Sequence, residues 1–430
     1  MKMMVIQGGT PLRGTVRAGG SKNAALPMMA AAMLADGKTR LRNVPDLMDI
    51  RTMSRLLREL GMDVVRKGRA LELDVRRDTP TEAPYKIMRT MRAGICVLGP
   101  LLARRRKARV SLPGGCAIGS RPIDLHIKGM EALGATVRVD HGYLEFRAAR
   151  GLSGREIYLG GPFGSTVLGT CNVMMAAALA RGDTLIESAA CEPEVQNLAR
   201  MLVAMGARIE GIGTPRLRIS GVKTLQPTTF DVIPDRIEAA TLLMAGIITG
   251  GRVTVENARS GHLMAVLDKL GDMGVRIRRD GNGAVTAVGR KRFRPVDVTT
   301  LAFPGYPTDV QAQLMALLCL TDGISVVTEK IFPDRFMHVA ELNRLGARIR
   351  KENTMAVVRG VRKLSGAPVM ASDLRASAAL VLAGLVAEGT TEVRRIYHLD
   401  RGYEKLDRKL RALGARIVRR EQPPGEIPVE

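Results

Sequence analysis

A chain of 430 residues with 46% apolar and 25% charged residues is too hydrophobic to be disordered and long enough for more than one core, so two domains are expected. The sequence has no 18-residue membrane span and no apolar run near its start that would act as a signal peptide. Its five cysteines (Cys96, Cys116, Cys171, Cys191 and Cys319) form no CxxC pair, which excludes a disulfide scaffold or zinc site and predicts a reduced, cytoplasmic protein. A formal charge of +24 with only 3% aromatics leaves two readings open, a basic surface or a cleft for phosphorylated or carboxylated small molecules. Nucleic acid is disfavoured, because no reading motif and few stacking rings are present.

Strand candidates at 3–7 and 14–18 come first. Residues 25–36 (ALPMMAAAMLAD) predict a buried helix ended by Gly37, and 38–42 alternate as a strand. Residues 46–60 carry a helical rhythm at Leu47, Ile50, Met53, Leu56, Leu57 and Leu60, capped by Gly61, and 62–66 with 70–75 form a hairpin. The same order recurs at 173–210, 240–277, 312–349 and 376–418. It is less clear in the second unit, where glycines interrupt 111–120. Each unit closes on a Leu/Met-Gly element, at Gly61, Gly134, Gly206, Gly274, Gly346 and Gly414, spaced by 73, 72, 68, 72 and 68 residues. The chain therefore reads as α/β, six βαββαβ-type units with buried helices and outer sheets, three per domain. The domains are placed at 21–229 and at 1–20 plus 230–430. The sixth unit lacks a hairpin partner, which the start of the chain can supply. The tail PPGEIPVE is expected to be loose.

Functional residues should be those that break the repeat. Lys22 and Asn23 follow Gly19 and Gly20 just ahead of a helix, which suits either an anion site or a surface lysine beside a capping serine. The segment SLPGGCAIGSRPIDLH, 111–126, places Cys116 near Arg121. Its thiol is either activated by positive neighbours or a small buried apolar group. Asp309, Asp373 and Asp235, the last two close to Arg375 and Arg236, are either helix caps or carboxylates that orient or deprotonate a hydroxyl. Arg92, Arg335 and Arg401 suit phosphate and carboxylate recognition or solvated ion pairs. His126, His338 and His398 have no metal-ligand spacing, so no metal site is expected.

These motifs carry a resemblance over residues 5–420. GGSKNAALP (19–27), MRAG (91–94), SLPGGCAIGSRPIDLHIKG (111–129), CEPEV (191–195), PDRIEA (234–239), PTDVQAQ (307–313), RFMHVAEL (335–342), SDLRASAALVLAG (372–384) and YHLDRGYE (397–404) resemble the UDP-N-acetylglucosamine 1-carboxyvinyltransferase family of enolpyruvyl transferases. The resemblance implies two domains, each an inside-out α/β barrel of three repeats. It also implies transfer of the enolpyruvyl group of phosphoenolpyruvate to the sugar 3-hydroxyl of UDP-N-acetylglucosamine, through a tetrahedral ketal, with release of phosphate and no cofactor. By motif, Cys116 protonates the methylene carbon or forms a phospholactoyl adduct, and it is the target of fosfomycin-type epoxides. Asp309 is the base near the 3-hydroxyl. Lys22, Arg92, Arg121 and Arg401 surround phosphoenolpyruvate, Asn23 and Asp373 bear on the reacting carbons, and Arg335 and Arg375 organise the cleft. The sugar nucleotide falls to Asn23, Arg92, Arg121, Pro122, Ile123, Asp124, Leu125, His126, Thr166, Val167, Gly169, Asp309 and Ile331.

One segment departs from the family. GGPFGSTVLGTCN stands at 160–172, where members carry a serine-valine-glycine-alanine-threonine run. Thr166, Val167, Leu168, Gly169 and Thr170 are the best match, with Leu168 in place of a glycine and GGPFG lacking the usual charged residue. Either the diphosphate shifts to Gly164 and Ser165, or the acceptor is a modified UDP sugar. Rival readings are a sister enzyme using shikimate 3-phosphate, a transferase for another nucleotide sugar, a non-catalytic sugar-nucleotide sensor and an RNA-binding protein.

Overall fold

The computed structural model describes residues 2–111, 123–290 and 292–422. Cys116, Arg121, Pro122 and the tail at 423–430 lie outside the described residues. The chain divides into two compact units, one within 20–233 and the other formed by 2–19 with 234–422.

Each unit holds three four-stranded sheets built to one plan. A helix that is apolar on every side is buried, as Lys22–Ala31, Val167–Ala177, Arg236–Ile248 and Leu374–Gly384 are along nearly their whole lengths. A strand follows it, then a second, amphipathic helix such as Met48–Glu59, then a hairpin such as Met62–Lys67 with Ala70–Val75. The order is therefore β-α-β-α-β-β, not the expected βαββαβ. The amphipathic helix separates the first strand from the hairpin, and the hairpin's second strand folds back to pair antiparallel with that first strand.

The repeated glycine has a direct physical role. Gly61, Gly134, Gly206, Gly274, Gly346 and Gly414 all take positive φ, between 86° and 105°, where a side chain is disfavoured. In five of the six units the following residue donates its N–H back to a leucine or methionine carbonyl, for example Ala207 to Leu202 at 2.9 Å and Ala415 to Leu410 at 3.0 Å. That bond closes the helix end and turns the chain into the hairpin.

The first strand, Lys2–Gln7, lies between Thr390–Arg394 and Arg416–Glu421 and pairs antiparallel with both. The chain start thus completes the sixth sheet, as its missing partner required. Two edge strands are exchanged. Elsewhere a short strand just upstream of a buried helix lies parallel to the strand that follows that helix, as Glu156–Tyr158 does with Asp183–Glu187. Arg13–Arg17, which leads into Lys22–Ala31, instead pairs with Arg252–Glu256. Thr229–Asp231, which leads into Arg236–Ile248, pairs with Lys38–Arg42. The chain passes from one unit to the other between these strands and their helices, at 19–20 and 233–234.

Part of the basic charge sits on outer strands. The hairpin strand at the edge of each sheet carries a cation, at Arg66, Arg138, Arg208, Arg278, Arg350 and Arg420, which discourages pairing with another chain. Among the described residues no helix is long and apolar enough to cross a membrane.

Candidate active site

Lys22 and Asn23 are the first two residues of their helix, which starts three residues earlier than the apolar pattern suggests. Ser21 is its cap and accepts a hydrogen bond from the Ala24 N–H at 3.4 Å. Lys22 is buried, and its ammonium meets Asp49 Oδ2 at 2.9 Å. In the sequence Asp49 looks like an ordinary acidic residue in the first turn of an amphipathic helix, and only the fold shows it to be the lysine's counter-ion.

In the same unit Ile123 precedes the helix Asp124–Ala132, with Asp124 exposed, Leu125 half-buried and His126 buried. The first helical residue after Met91 is Arg92. Burial, reinforced by the Arg92 charge, pushes the His126 imidazole down to about 4, so the ring is neutral near pH 7. Asn172 joins these elements. Its Nδ2 lies 2.9 Å from His126 Nδ1 and donates to the Ile95 carbonyl at 2.9 Å. Its Oδ1 accepts from the Gly99 N–H at 2.9 Å.

Asn172 belongs to Val167–Ala177, capped by Thr166, whose hydroxyl accepts from the Gly169 N–H at 3.2 Å. Thr170 Oγ1 donates to the Thr166 carbonyl at 2.7 Å and accepts from the Ala190 N–H at 3.0 Å. Gly160–Gly161 and Gly164–Ser165 form a two-stranded ribbon ahead of this cap, with Phe163 exposed at its turn. Leu168, the bulky residue at the expected glycine position, packs against the unit's core.

In the other unit the three candidate aspartates separate by function. Asp235 Oδ1 accepts from the N–H groups of Ile237 and Glu238 at 2.8 and 3.1 Å. Asp373 Oδ1 accepts from Arg375 and Ala376 at 2.7 and 3.1 Å. Both are helix caps. Asp309, in the turn Thr308–Val310, instead meets Arg335 Nη1 at 2.8 Å and Arg375 Nη2 at 2.9 Å. The two guanidinium side chains are 4% and 2% exposed and the carboxylate 26%. Burial alone would raise the Asp309 carboxyl, but Arg375 and Arg335 override it and hold it well below the usual carboxylate range.

Two buried groups brace this cluster, and neither stands out in the sequence. Glu329 accepts from Thr300 at 2.6 Å, Thr308 at 2.9 Å, and the Ile331 and Phe332 N–H groups at 2.8 and 2.9 Å. It thereby fixes the half-buried Ile331 and the turn that carries Asp309. Gln313 Nε2 donates to the Asp309 carbonyl and to Tyr403 Oη, both at 3.0 Å. Tyr403 in turn lies 3.0 Å from the Thr241 hydroxyl. Arg401 closes the short helix Tyr397–Asp400, two residues before Tyr403. His338 is buried with its imidazole pushed down to about 4 by desolvation. Burial and Arg401 lower His398.

Cys96, Cys171 and Cys319 are buried. Desolvation pushes Cys96 and Cys319 up to about 12 and raises Cys171 and the half-buried Cys191, so all four are poor nucleophiles. Cys116 and Arg121 lie outside the described residues. Among the described residues no His/Cys/Asp/Glu group has the makings of a metal site.

Comparison with known proteins identifies the family. The family model described as EPSP synthase (3-phosphoshikimate 1-carboxyvinyltransferase) matches residues 6–410. A UDP-N-acetylglucosamine 1-carboxyvinyltransferase of Anaeromyxobacter sp. (strain Fw109-5) is 57% identical over 97% of this chain and 99% of its own length. One from Trichlorobacter lovleyi is 52% identical over 98% of this chain and 100% of its own. The enolpyruvyl transferase NikO from Streptomyces tendae superposes with a TM-score of 0.87 at 27% identity, covering 98% of this chain and 99% of that one. An EPSP synthase of Acinetobacter baumannii shares the fold, with a TM-score of 0.74 at 16% identity over 98% of this chain and 100% of that one. By full-length sequence and by fold, the chain belongs to the EPSP synthase family, among its UDP-N-acetylglucosamine 1-carboxyvinyltransferases.

Proposed function

We propose that this chain transfers the enolpyruvyl group of phosphoenolpyruvate to the 3-hydroxyl of UDP-N-acetylglucosamine and releases phosphate, the first committed step of peptidoglycan synthesis, in the cytoplasm and without a cofactor. The names of its full-length relatives support the substrates. Each unit is inferred to close as an inside-out barrel, in keeping with its buried helices and three outer sheets. Lys22, Arg92, Arg121 and Arg401 are the cations assigned to the phosphate and carboxylate of phosphoenolpyruvate. Asn23 and Asp373 are assigned to the reacting carbons. Ile123, Asp124, Leu125, His126, Thr166, Val167, Gly169 and Ile331 are assigned to the sugar nucleotide.

Protonation of the methylene carbon, by Cys116 or with a transient adduct at its sulfur, leaves the adjacent carbon electrophilic. The sugar oxygen bonds to that carbon and gives a tetrahedral ketal. Loss of the methyl proton and departure of phosphate then restore the double bond. The observation that carries this chemistry is Asp309. Unlike Asp235 and Asp373 it caps no helix, stays ionised between two arginines and keeps a partly exposed edge. A carboxylate held so low stays ionised, so it can accept a hydrogen bond but is a weak base. It therefore orients the sugar hydroxyl and takes its proton only as the new C–O bond forms. The test is phosphate release from phosphoenolpyruvate with and without UDP-N-acetylglucosamine, with the product identified by mass. Release that depends on the acceptor, with a product heavier by one enolpyruvyl group, is expected. Release independent of the acceptor, or none from folded protein, would overturn the assignment.

A further inference from the structure

The Asn172 side chain is fully buried in a mostly apolar helix, and two of its three polar contacts are to backbone groups of fixed role. The Gly99 N–H can only donate, so the atom facing it is the amide oxygen. The Ile95 carbonyl can only accept, so the atom facing it is the amide nitrogen. Both backbone contacts fix the amide in one orientation, and its NH2 group faces His126 Nδ1 at 2.9 Å. That ring nitrogen must then be bare. A neutral imidazole with a bare Nδ1 carries its proton on Nε2. Among the described residues Nε2 has no hydrogen-bond partner. The neighbouring cation, Arg92, has no lone pair to offer it and disfavours a second positive charge. Gly99 is needed for this arrangement, because a Cβ there would run into the Asn172 carbonyl.

We infer that Asn172 is a positioning residue that sets the tautomer of His126, so that His126 presents Nε2–H as an uncharged hydrogen-bond donor to an oxygen of the sugar nucleotide. The inference rests on the proposed function for the identity of that ligand. A neutral donor here adds directionality without adding to the positive charge that already attracts the anionic donor substrate. A bare Nε2 would instead reject an oxygen acceptor.

The first test is made on the wild-type enzyme. Of its five histidines, His126 is assigned in a 15N-histidine-labelled sample by comparison with His126→Gln. The neutral Nε2–H form is expected at pH 7, with its signal moving on addition of UDP-N-acetylglucosamine. An imidazolium or an Nδ1–H tautomer in an enzyme that turns over would overturn this inference alone. An Nε2–H tautomer whose signal does not respond to saturating sugar nucleotide would overturn the donor role. Failure to bind that nucleotide at all would remove the substrate assignment as well. Asn172→Asp puts an acceptor against Nδ1 and draws the proton there. It should raise the KM for UDP-N-acetylglucosamine about tenfold while leaving that for phosphoenolpyruvate within about twofold. An unchanged KM with the proton moved would overturn the positioning role. Should that variant fail to fold, His126→Gln and His126→Leu decide. The glutamine amide can replace the Nε2–H donor and should keep the KM within about threefold, whereas leucine should raise it about tenfold. Equal losses in both would overturn the inference.

Discussion

Replacing Asp309 by alanine tests whether its two arginines form an architectural as well as a catalytic unit. Arg375 and Arg335 have side chains 2% and 4% exposed, and each places a guanidinium nitrogen within 2.9 Å of a carboxylate oxygen. Removing the shared anion leaves two buried cations close together. Breaking one buried pair costs about 3–5 kcal/mol. Because Asp309 is a quarter exposed, and Arg335 keeps a 3.0 Å bond to the Thr308 hydroxyl, the lower end applies, about 3 kcal/mol. For a unit of about 200 residues this lowers Tm by about 6–12 °C. The double variant Asp309→Leu/Arg375→Met removes both partners of one pair and should recover about half of that loss or more, without recovering turnover. Calorimetry read beside single-turnover kinetics separates the two effects. Asp309→Ala should still bind UDP-N-acetylglucosamine yet lose most turnover. A Tm within about 1 °C of wild type would refute the energetic argument, and near-normal kcat would refute the assigned role. The pH dependence has a definite sign. The folded carboxyl is depressed, so its contribution is fully present above the unfolded value of about 3.9 and is lost only as pH falls further toward the folded pKa. Between pH 7 and 5 this group should add no slope to stability.

Three further tests address other parts of the molecule. Alanine replacements of Lys22 and Asp49, singly and together, should show a coupling of about 1.5 kcal/mol or more in urea unfolding, since the pair is buried at 2.9 Å. Coupling below about 0.3 kcal/mol would mean that Asp49 is a bystander. Alkylation at pH 7 followed by peptide mapping should modify Cys116 well before Cys96 and Cys319, whose thiols burial pushes up to about 12. Cys116→Asp should keep measurable turnover and resist epoxide inactivation, and full sensitivity in that variant would remove Cys116 as the target. Gly20→Ala should destabilise the protein by about 1–3 kcal/mol or more, because an added Cβ meets the Asn43 carbonyl. A stability equal to wild type would show that this close approach is dispensable.

Much of the architecture is visible in the chain because the repeat has a local cause. A glycine with positive φ at the end of each amphipathic helix leaves its mark on sequence whatever the tertiary context. The need for an additional strand in the sixth unit could be inferred from counting, and Lys2–Gln7 fills it. The strand exchange left no such mark, because Thr229–Asp231 is only three residues long and pairing partners are not encoded locally. The start of Lys22–Ala31 was displaced because Lys22 and Asn23 interrupt the apolar run while Ser21 still caps it. At the candidate site the charged residues drew attention by breaking the repeat. Their supports did not. Asp49 fits an acidic first turn, Asn172 sits in an alanine- and methionine-rich helix, and Glu329 closes an ordinary strand. What distinguishes them is a partner distant in sequence, and one chain read alone gives no access to it.

The central place of Lys2–Gln7 in the sixth sheet bears on how the chain is made. The unit within 20–233 has all its strands once residue 233 has left the ribosome, whereas Lys2–Gln7 must wait for Arg416–Glu421 before both its edges are covered. For almost the whole of synthesis MMVI is an apolar strand without neighbours, open to misassociation and to chaperones. Lys2 stands directly opposite Glu421 in the sheet, so a short linker joining these two strands, with the chain opened elsewhere, would make that pairing local. Such a permuted chain should refold faster and with less aggregation than the natural order, at nearly unchanged equilibrium stability.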